Sequence, residues 1–310
     1  MELPSFPPSF PPSLLTRRLA LPLSATPLLR LGNQYSRDLR AERESEMSDS
    51  GGAPWWVVVT GASQGFGAAI CTELAPLLPP GSRVLGLARS QQGLATTAAA
   101  VTKANPAITF SPVVMDLATA KAMDYEATLK DHLGTGQSTP PGQALLFHNA
   151  GSLGTVKYLR EMDDATRLST YFDLNISSVI LLNAAFMRLI STLSGKVIVK
   201  VINVSSLCAL EPFKSWGLYC TGKAGRDMLF KVLAVEDPGV RVLNYAPGPL
   251  DTGMQVHART MTQDDDIRKT FTSMKEEGKL LSCQSSVKKL LQFLEKDEFK
   301  SGDHVDFFEV

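Results

Sequence analysis

The stretch Trp55–Leu78, WWVVVTGASQGFGAAICTELAPLL, constrains the fold of this chain more than any other. Its apolar, β-branched run (Val57, Val58, Val59) reads as a buried strand that ends in a glycine turn. Gly61, Gly65 and Gly67 follow, with Ala62, Ser63, Gln64 and Phe66 between them, and Ile70, Leu74 and Leu77 then recur at helical spacing. Glycines let a backbone approach a pyrophosphate, and the unpaired N–H groups of a first helical turn supply donors to it. The spacing G-x3-G-x-G is neither G-x-G-x-x-G nor a P-loop, because Ala68 stands where a P-loop needs lysine. A plain tight turn has the same spacing, but strand, turn and helix together predict a phosphate-binding unit.

Further apolar runs at Val84–Ala88, Ile108–Val114, Ala144–His148, Val197–Val204, Val240–Ala246 and Val305–Phe308 alternate with helical patterns. The clearest helix is Ser285–Glu295, with Val287, Leu290, Leu291 and Leu294 on one face behind a serine N-cap. Such alternation predicts an α/β fold: one Rossmann-like, doubly wound parallel sheet of about seven strands with helices on both faces. The 31 basic and 31 acidic residues balance, so nothing in the bulk charge favours nucleic acid or an anionic membrane. No uninterrupted apolar run reaches about 18 residues, and Val179–Ile190 is broken by Asn183 and Arg188, so no membrane span is expected. Cys71, Cys208, Cys220 and Cys283 are scattered without a C-x-x-C or a neighbouring His pair, which fits a reducing compartment and no metal site.

Residues 1–52 differ from the rest. Prolines crowd Pro4–Pro27, and Arg17, Arg18, Arg30 and Arg37 lie where no acidic residue occurs between Glu2 and Asp38. The stretch reads as a disordered extension, or as sequence upstream of a start at Met47, in preference to a transit peptide. One catalytic domain is expected over 53–310.

The second strand ends at Arg89-Ser90, 22 positions after Gly67. An Asp or Glu about 20 residues on pairs with a free ribose 2′-OH, whereas Arg accommodates a 2′-phosphate. No acidic residue occurs from Leu74 to Met115, so NADP(H) is expected rather than NAD(H). Tyr219 and Lys223 stand at i and i+4 in a helical stretch that stops at Asp237-Pro238-Gly239, which puts both on one face. An ammonium beside a phenol favours the phenolate, and such a tyrosine can donate a proton to a carbonyl oxygen. A surface pair has the same spacing. Ser205-Ser206, Asn149-Ala150-Gly151 and Pro247-Gly248-Pro249 close strands at one sheet edge, where ligands bind in open sheets.

TGASQGFG, Asp116-Leu117, Asn149-Ala150-Gly151, Asn175, Ser206, Tyr219-x3-Lys223 and Pro247-Gly248, in that order, resemble the short-chain dehydrogenase/reductase family. SSLCALEPFKSWGLYCTGKAGRDMLF, VRVLNYAPGPLDTGMQ and LLQFLEKDEFKSGDHVDFF are similar to a pterin-reducing member of it. The resemblance implies Tyr219 as acid, Lys223 lowering its pKa and holding the nicotinamide ribose, Ser206 orienting the carbonyl and Asn175 relaying protons. It implies that Gly61–Gly67 hold the pyrophosphate, Arg89 and Ser90 the 2′-phosphate, and Asp116 and Leu117 the adenine. Asn149 belongs to the same cofactor set. Leu250, Asp251, Thr252, Gly253, Met254 and Gln255 would cover the nicotinamide. Leu207 and Gly248 would touch substrate, and Asp306 would accept two hydrogen bonds from a pterin's amino-pyrimidine edge. A cytoplasmic homodimer that reduces pterin side-chain carbonyls with NADPH is the implied protein. A broad dicarbonyl reductase and a silent NADPH-binding regulator are the competing readings. Gln64 departs from the Arg common in NADP-preferring relatives, and His148 from the first Asn of N-N-A-G. Arg259-x-x-Thr262 is a weak kinase pattern that raises phosphorylation of Thr262.

Overall fold

The computed structural model describes residues 52–134 and 140–310; apart from Gly52, the extension expected over 1–52 lies outside them. Seven parallel strands form one sheet: β1 Trp55–Thr60, β2 Arg83–Ala88, β3 Thr109–Val114, β4 Gln143–His148, β5 Ile198–Val204, β6 Val240–Ala246 and β7 His304–Asp306. Their order is β3-β2-β1-β4-β5-β6-β7. The chain leaves β3 and returns beside β1 as β4, so the strand order reverses there, and the crevice at such a switch point takes ligand in open α/β sheets.

Alternation along each strand divides the core. Val57 and Val59 face a layer of α1 (Gly65–Leu74), α2 (Gln91–Ala104) and α9 (Cys283–Lys296), where Ile70, Leu94, Val287 and Leu290 are buried. Trp56 and Val58 face the opposite layer of α3 (Ala122–Leu129), α5 (Ser178–Ser191) and α6 (Gly217–Glu236), through Tyr125, Val179, Phe186 and Phe230. Burial on both faces is why the central strands β1, β2 and β4 read as nearly continuous apolar runs.

Two expectations are corrected in detail. Leu77 is 60% exposed: α1 gives way at Ala75 to a single 3₁₀ turn carrying Pro76, which cannot donate the helical N–H. The last strand is His304–Asp306, because the Asp306 carboxylate accepts from Phe308 N–H and turns Phe307–Glu309 into a 3₁₀ turn. No uninterrupted apolar run reaches about 18 residues, and α4 (Ala165–Phe172), a π turn over Asp173–Ser177 and α5 join into a 27-residue helical run of mixed composition. By length and composition that run could cross a bilayer. Here Val179, Leu182, Ala185 and Phe186 pack it against the sheet, and Asn175 is buried within it.

The lid of the sheet edge comes from the chain after β6: α7 (Gly253–Met261) and α8 (Asp265–Glu276) cover the strand ends beside α6.

Candidate active site

At the glycine turn, Gly61 and Gly65 have φ of 69° and 57°, in the left-handed region that favours glycine. Gly67 is required by proximity: a Cβ there would lie 2.2 Å from the Gly61 carbonyl oxygen and 2.5 Å from Asn149 Nδ2. Asn149 ties the turn to β4, with Nδ2 donating to Thr60 O at 2.8 Å and its backbone N–H to Thr60 Oγ1 at 2.9 Å. Ala62, Phe66 and Gly67 are buried, whereas Gln64 and Gly65 are exposed. No side chain caps α1, and its first turn holds no acidic residue, so its positive end is open to an anion.

The neighbouring α2 also begins without an acid, but it is capped. Ser90 is its N-cap, accepting from Gly93 N–H at 3.1 Å, its first turn has no acid, and Arg89 beside it is exposed. Asp116 is exposed after β3 and accepts from Ala118 N–H at 3.0 Å, while Leu117 is buried with its carbonyl accepting from Tyr125 OH. One uncapped helix N-terminus, a second whose first turn holds no acid, a close-approach glycine turn and the exposed Arg89 guanidinium fit the phosphates of NADP(H).

On α6, Tyr219 and Lys223 are both buried and share the face toward β5. Lys223 Nζ lies 5.6 Å from the Tyr219 ring centroid and donates to Val204 O at 2.5 Å. Ser206, half-buried two residues beyond Val204, accepts from Cys208 N–H at 3.2 Å and stands near enough to the Tyr219 hydroxyl to lower its pKa. Trp216 meets the Tyr219 ring edge-on at 5.5 Å, and Met254 Sδ is 4.0 Å from its hydroxyl. Ser206, Tyr219, Lys223 and Met254 are thus brought together.

The electrostatics correct one expectation. Burial, then the neighbouring Cys208 thiol, push the Tyr219 pKa up, with the nearby Ser206 hydroxyl opposing them; Lys223 is not among the groups that set it. The lysine itself is driven from the usual 10.5 to about 7, first by burial and then by the Arg226 charge. Helical spacing cannot report that both side chains are out of water.

A prediction about stability follows. Between about pH 7 and 10.5 the unfolded chain keeps the lysine proton that the native chain has lost, so this group's contribution to stability rises with pH across that window. Below pH 7 the full cost of burying the charge is present. Lys223→Met is expected to be inactive, yet more stable than wild type at pH 7 by on the order of a few kcal/mol, with a flatter stability–pH profile from 7 to 10. Denaturant melts of both proteins over that range check it; parallel profiles would refute it.

Asn175 sits in the π turn between α4 and α5, one residue more than α-helix packing allows for, which aims its side chain inward. Its Oδ1 accepts from Ser152 N–H at 3.0 Å and its Nδ2 donates to Tyr171 O at 2.9 Å, so it holds the loop after β4 and does not touch Tyr219. Leu207 is 37% exposed at the strand ends. Gly248 (φ 75°) packs tightly enough that a Cβ would meet Leu281 Cδ1 at 2.7 Å. Asp306 pairs in register with Ala246, at the same sheet end; one carboxylate oxygen accepts from Phe308 N–H and burial raises its pKa.

The cover segment is mixed. Leu250 bridges Leu281, Asp251 pairs with Lys275 at 2.6 Å, and Thr252 leads through Gly253 into α7. Gln255 is turned from the cleft: it is buried, its Nε2 donating to Phe271 O at 2.9 Å and its Oε1 accepting from Arg259. Thr262 is fully buried and accepts from Trp216 Nε1–H at 2.9 Å, so its hydroxyl is closed to a kinase in this conformation. His148 is buried against Phe230 and held neutral, its pKa lowered to about 3 by burial and Arg226.

Cys71 is buried with its thiol pKa pushed up to about 12 by burial, and Cys283 is likewise raised. Among the described residues no group of three or more His, Cys, Asp or Glu side chains could hold a metal.

Sequence reading passed over Arg226 and Asp227, seven and eight positions after Tyr219 and therefore on the same helical face. Arg226 Nη1 donates to Ala150 O at 2.9 Å and its Nε to Asn203 Oδ1 at 2.8 Å, fixing the end of β4 to α6. The signal was there: a charged pair on the face that Tyr219, Lys223 and Phe230 define as inward.

A family model described as short chain dehydrogenase matches residues 55–263. The chain is 44% identical to the sepiapterin reductase of Meriones unguiculatus over 81% of its own length and 95% of that protein's. It is 31% identical to the benzil reductase, (S)-benzoin forming, of Bacillus cereus, over 80% of this chain and 97% of the relative. Among solved structures, a short chain dehydrogenase/reductase of Saccharomyces cerevisiae superposes with a TM-score of 0.67 at 24% identity, over 82% of this chain and 96% of that one, a likeness of fold.

Proposed function

Because the chain belongs to the short-chain dehydrogenase/reductase family, we propose that it is an NADPH-dependent reductase of pterin side-chain carbonyls, with sepiapterin as a substrate. The observation that carries the reaction class is the convergence of Ser206, Tyr219 and Lys223 beside an open phosphate cradle. Similarity to a sepiapterin reductase across nearly that protein's whole length supports the substrate class.

NADPH, when bound, supplies the hydride. Tyr219 donates its proton to the carbonyl oxygen, and the burial that raises its pKa keeps that proton in place until the oxygen gains charge. Ser206 gives a second hydrogen bond to the same oxygen and fixes the carbonyl's orientation. Lys223 holds the nicotinamide ribose, and Asn175 keeps the loop after β4 open to a proton relay. Gly61–Gly67 would hold the pyrophosphate, with Asn149 bracing that turn, Arg89 and Ser90 the 2′-phosphate, and Asp116 and Leu117 the adenine. Leu250–Met254 close over the nicotinamide, with Met254 already against the phenol. Leu207 and Gly248 line the substrate side, and Asp306 grips the pterin's amino-pyrimidine edge with its carboxylate.

The similarity to a benzil reductase favours a second reading, a broader reductase of dicarbonyl compounds. The two part at Asp306, for a small diketone has no amino-pyrimidine edge. Asp306→Ala is expected to lower kcat/KM for sepiapterin about tenfold to a hundredfold, the loss of a charge-assisted pair of hydrogen bonds, and to leave a diketone within about twofold. Equal losses on both substrates in steady-state assays would support the broader reductase.

A homodimer is supported by the apolar stripe that Met228, Val232 and Val235 form on the outer face of α6, 60%, 43% and 80% exposed, and by Ile180 on α5. Sedimentation of the intact chain reads this directly, and a single species of protomer mass would contradict it. The four cysteines are free thiols, which supports a reducing compartment such as the cytoplasm; a fractionation that finds the chain in an oxidising one would count against it.

A further inference from the structure

The inward face of α6 continues one turn past Lys223 to Asp227, whose side chain is 4% exposed. Its Oδ1 accepts from Ser205 Oγ at 2.5 Å and from Asn203 Nδ2 at 3.1 Å, and both donors lie on the β5 segment that ends at Ser206. Its Oδ2 meets His304 Nδ1 at 2.5 Å; with a carboxylate as acceptor, the ring nitrogen is the donor. His304 opens β7 and its side chain is 7% exposed, with Nε2 buried and making no hydrogen bond among the described residues. The Asp227 bond is therefore the ring's single polar tether.

β7 is an edge strand with only three paired positions, Asn244↔His304, Tyr245↔Val305 and Ala246↔Asp306, so contacts beyond the ladder share in holding it: Lys289 Nζ donates to Phe307 O at 2.7 Å past its end, and Asp227 holds His304 at its start. Its third residue is Asp306. We infer that Asp227 and His304 form a brace that sets β7, and with it the Asp306 carboxylate, at a fixed position relative to Tyr219 on the same helix. One carboxylate then ties together the serine strand, the tyrosine helix and the pterin-gripping strand. Both residues are positioning groups: neither touches substrate, and the inference rests on the pterin reading above. A substrate gripped at one end and reduced at the other depends on the distance between those two ends, and a small misplacement there is costly.

The test uses the full chain. His304→Leu removes the donor, whereas His304→Asn keeps one, because Asn Nδ2 lies the same number of bonds from the backbone as His Nδ1. His304→Leu is expected to raise KM for sepiapterin about tenfold, with kcat changed less than about threefold and a small diketone within about twofold. His304→Asn is expected to stay within about threefold of wild type on both substrates. In an Asp306→Ala background, His304→Leu is expected to add nothing further, since it acts through that carboxylate. Deuterium uptake over 303–310 is expected to speed up in His304→Leu and not in His304→Asn.

A wild-type KM for sepiapterin in His304→Leu, equal losses on both substrates, or unchanged uptake over 303–310 would each overturn the brace. Should His304→Leu fail to fold, His304→Gln, which shifts the donor by one bond, takes its place with an intermediate KM expected. A wild-type chain that ignores sepiapterin would overturn the pterin reading instead, and the brace is then decided by deuterium uptake alone.

Discussion

Tyr219→Phe loses about three orders of magnitude in sepiapterin turnover while binding NADPH as the wild type does. The substitution removes one oxygen and little else. Phe keeps the edge-on contact with Trp216 at 5.5 Å and the buried volume of the ring, so the wall of the cleft stays in place. What goes is the hydroxyl near Ser206 and Met254 Sδ, the proton donor that faces the strand ends beside Ser206. Ser206 still orients the carbonyl, but its hydroxyl has no group poised to replace a proton it gives up, so residual turnover is expected to be small. Stability is expected to fall by only about 1 kcal/mol, the net worth of one hydrogen bond. Single-turnover assays with a separate NADPH titration separate the two effects. Activity within about tenfold of wild type would remove Tyr219 from the chemistry.

Gly67→Ala is expected to cost NADPH affinity about a hundredfold and stability about 2–3 kcal/mol, at the upper end of what overpacking does. The reason is which atoms its Cβ would meet. At 2.2 Å from the Gly61 carbonyl oxygen and 2.8 Å from its carbonyl carbon, the obstruction is backbone, which cannot swing aside as a side-chain tip can. The turn must open, and the Asn149 amide that spans Thr60 and Gly61 must follow, because a Cβ at Gly67 also meets it at 2.5 Å. Gly225 is the control. It is exposed within α6 and a Cβ there meets only Ile176 Cδ1, at 3.5 Å, so Gly225→Ala is expected to be neutral or stabilising by up to about 1 kcal/mol. Cofactor titration and thermal melts of the three proteins make the comparison. Gly67→Ala with wild-type affinity would mean the turn is not the cradle.

The central strands were legible because burial on both sheet faces writes them as largely apolar runs, and the turns after β1, β4 and β6 carry Gly61, Asn149 and Gly248. Seven expected runs correspond to seven strands, with bounds shifted by a residue or two. What sequence spacing could not carry was whether a charge is in water. Tyr219 and Lys223 at i and i+4 look the same on a surface as in a core, so the direction of the Tyr219 pKa was misread, and with it the state of Lys223. Thr262 shows the same blind spot, since a kinase pattern has no term for burial. Asp227 and His304 are 77 residues apart and meet only because β7 returns to the edge beside β6, a contact that topology makes and no local pattern announces.

The most direct measurement of the central claim is NADPH oxidation by the intact chain with sepiapterin as the only carbonyl, NADH and Tyr219→Phe serving as controls. The account predicts one NADPH consumed per sepiapterin reduced, little consumption of NADH, and none above background in the variant. An intact chain that binds NADPH and leaves sepiapterin unreduced would contradict it.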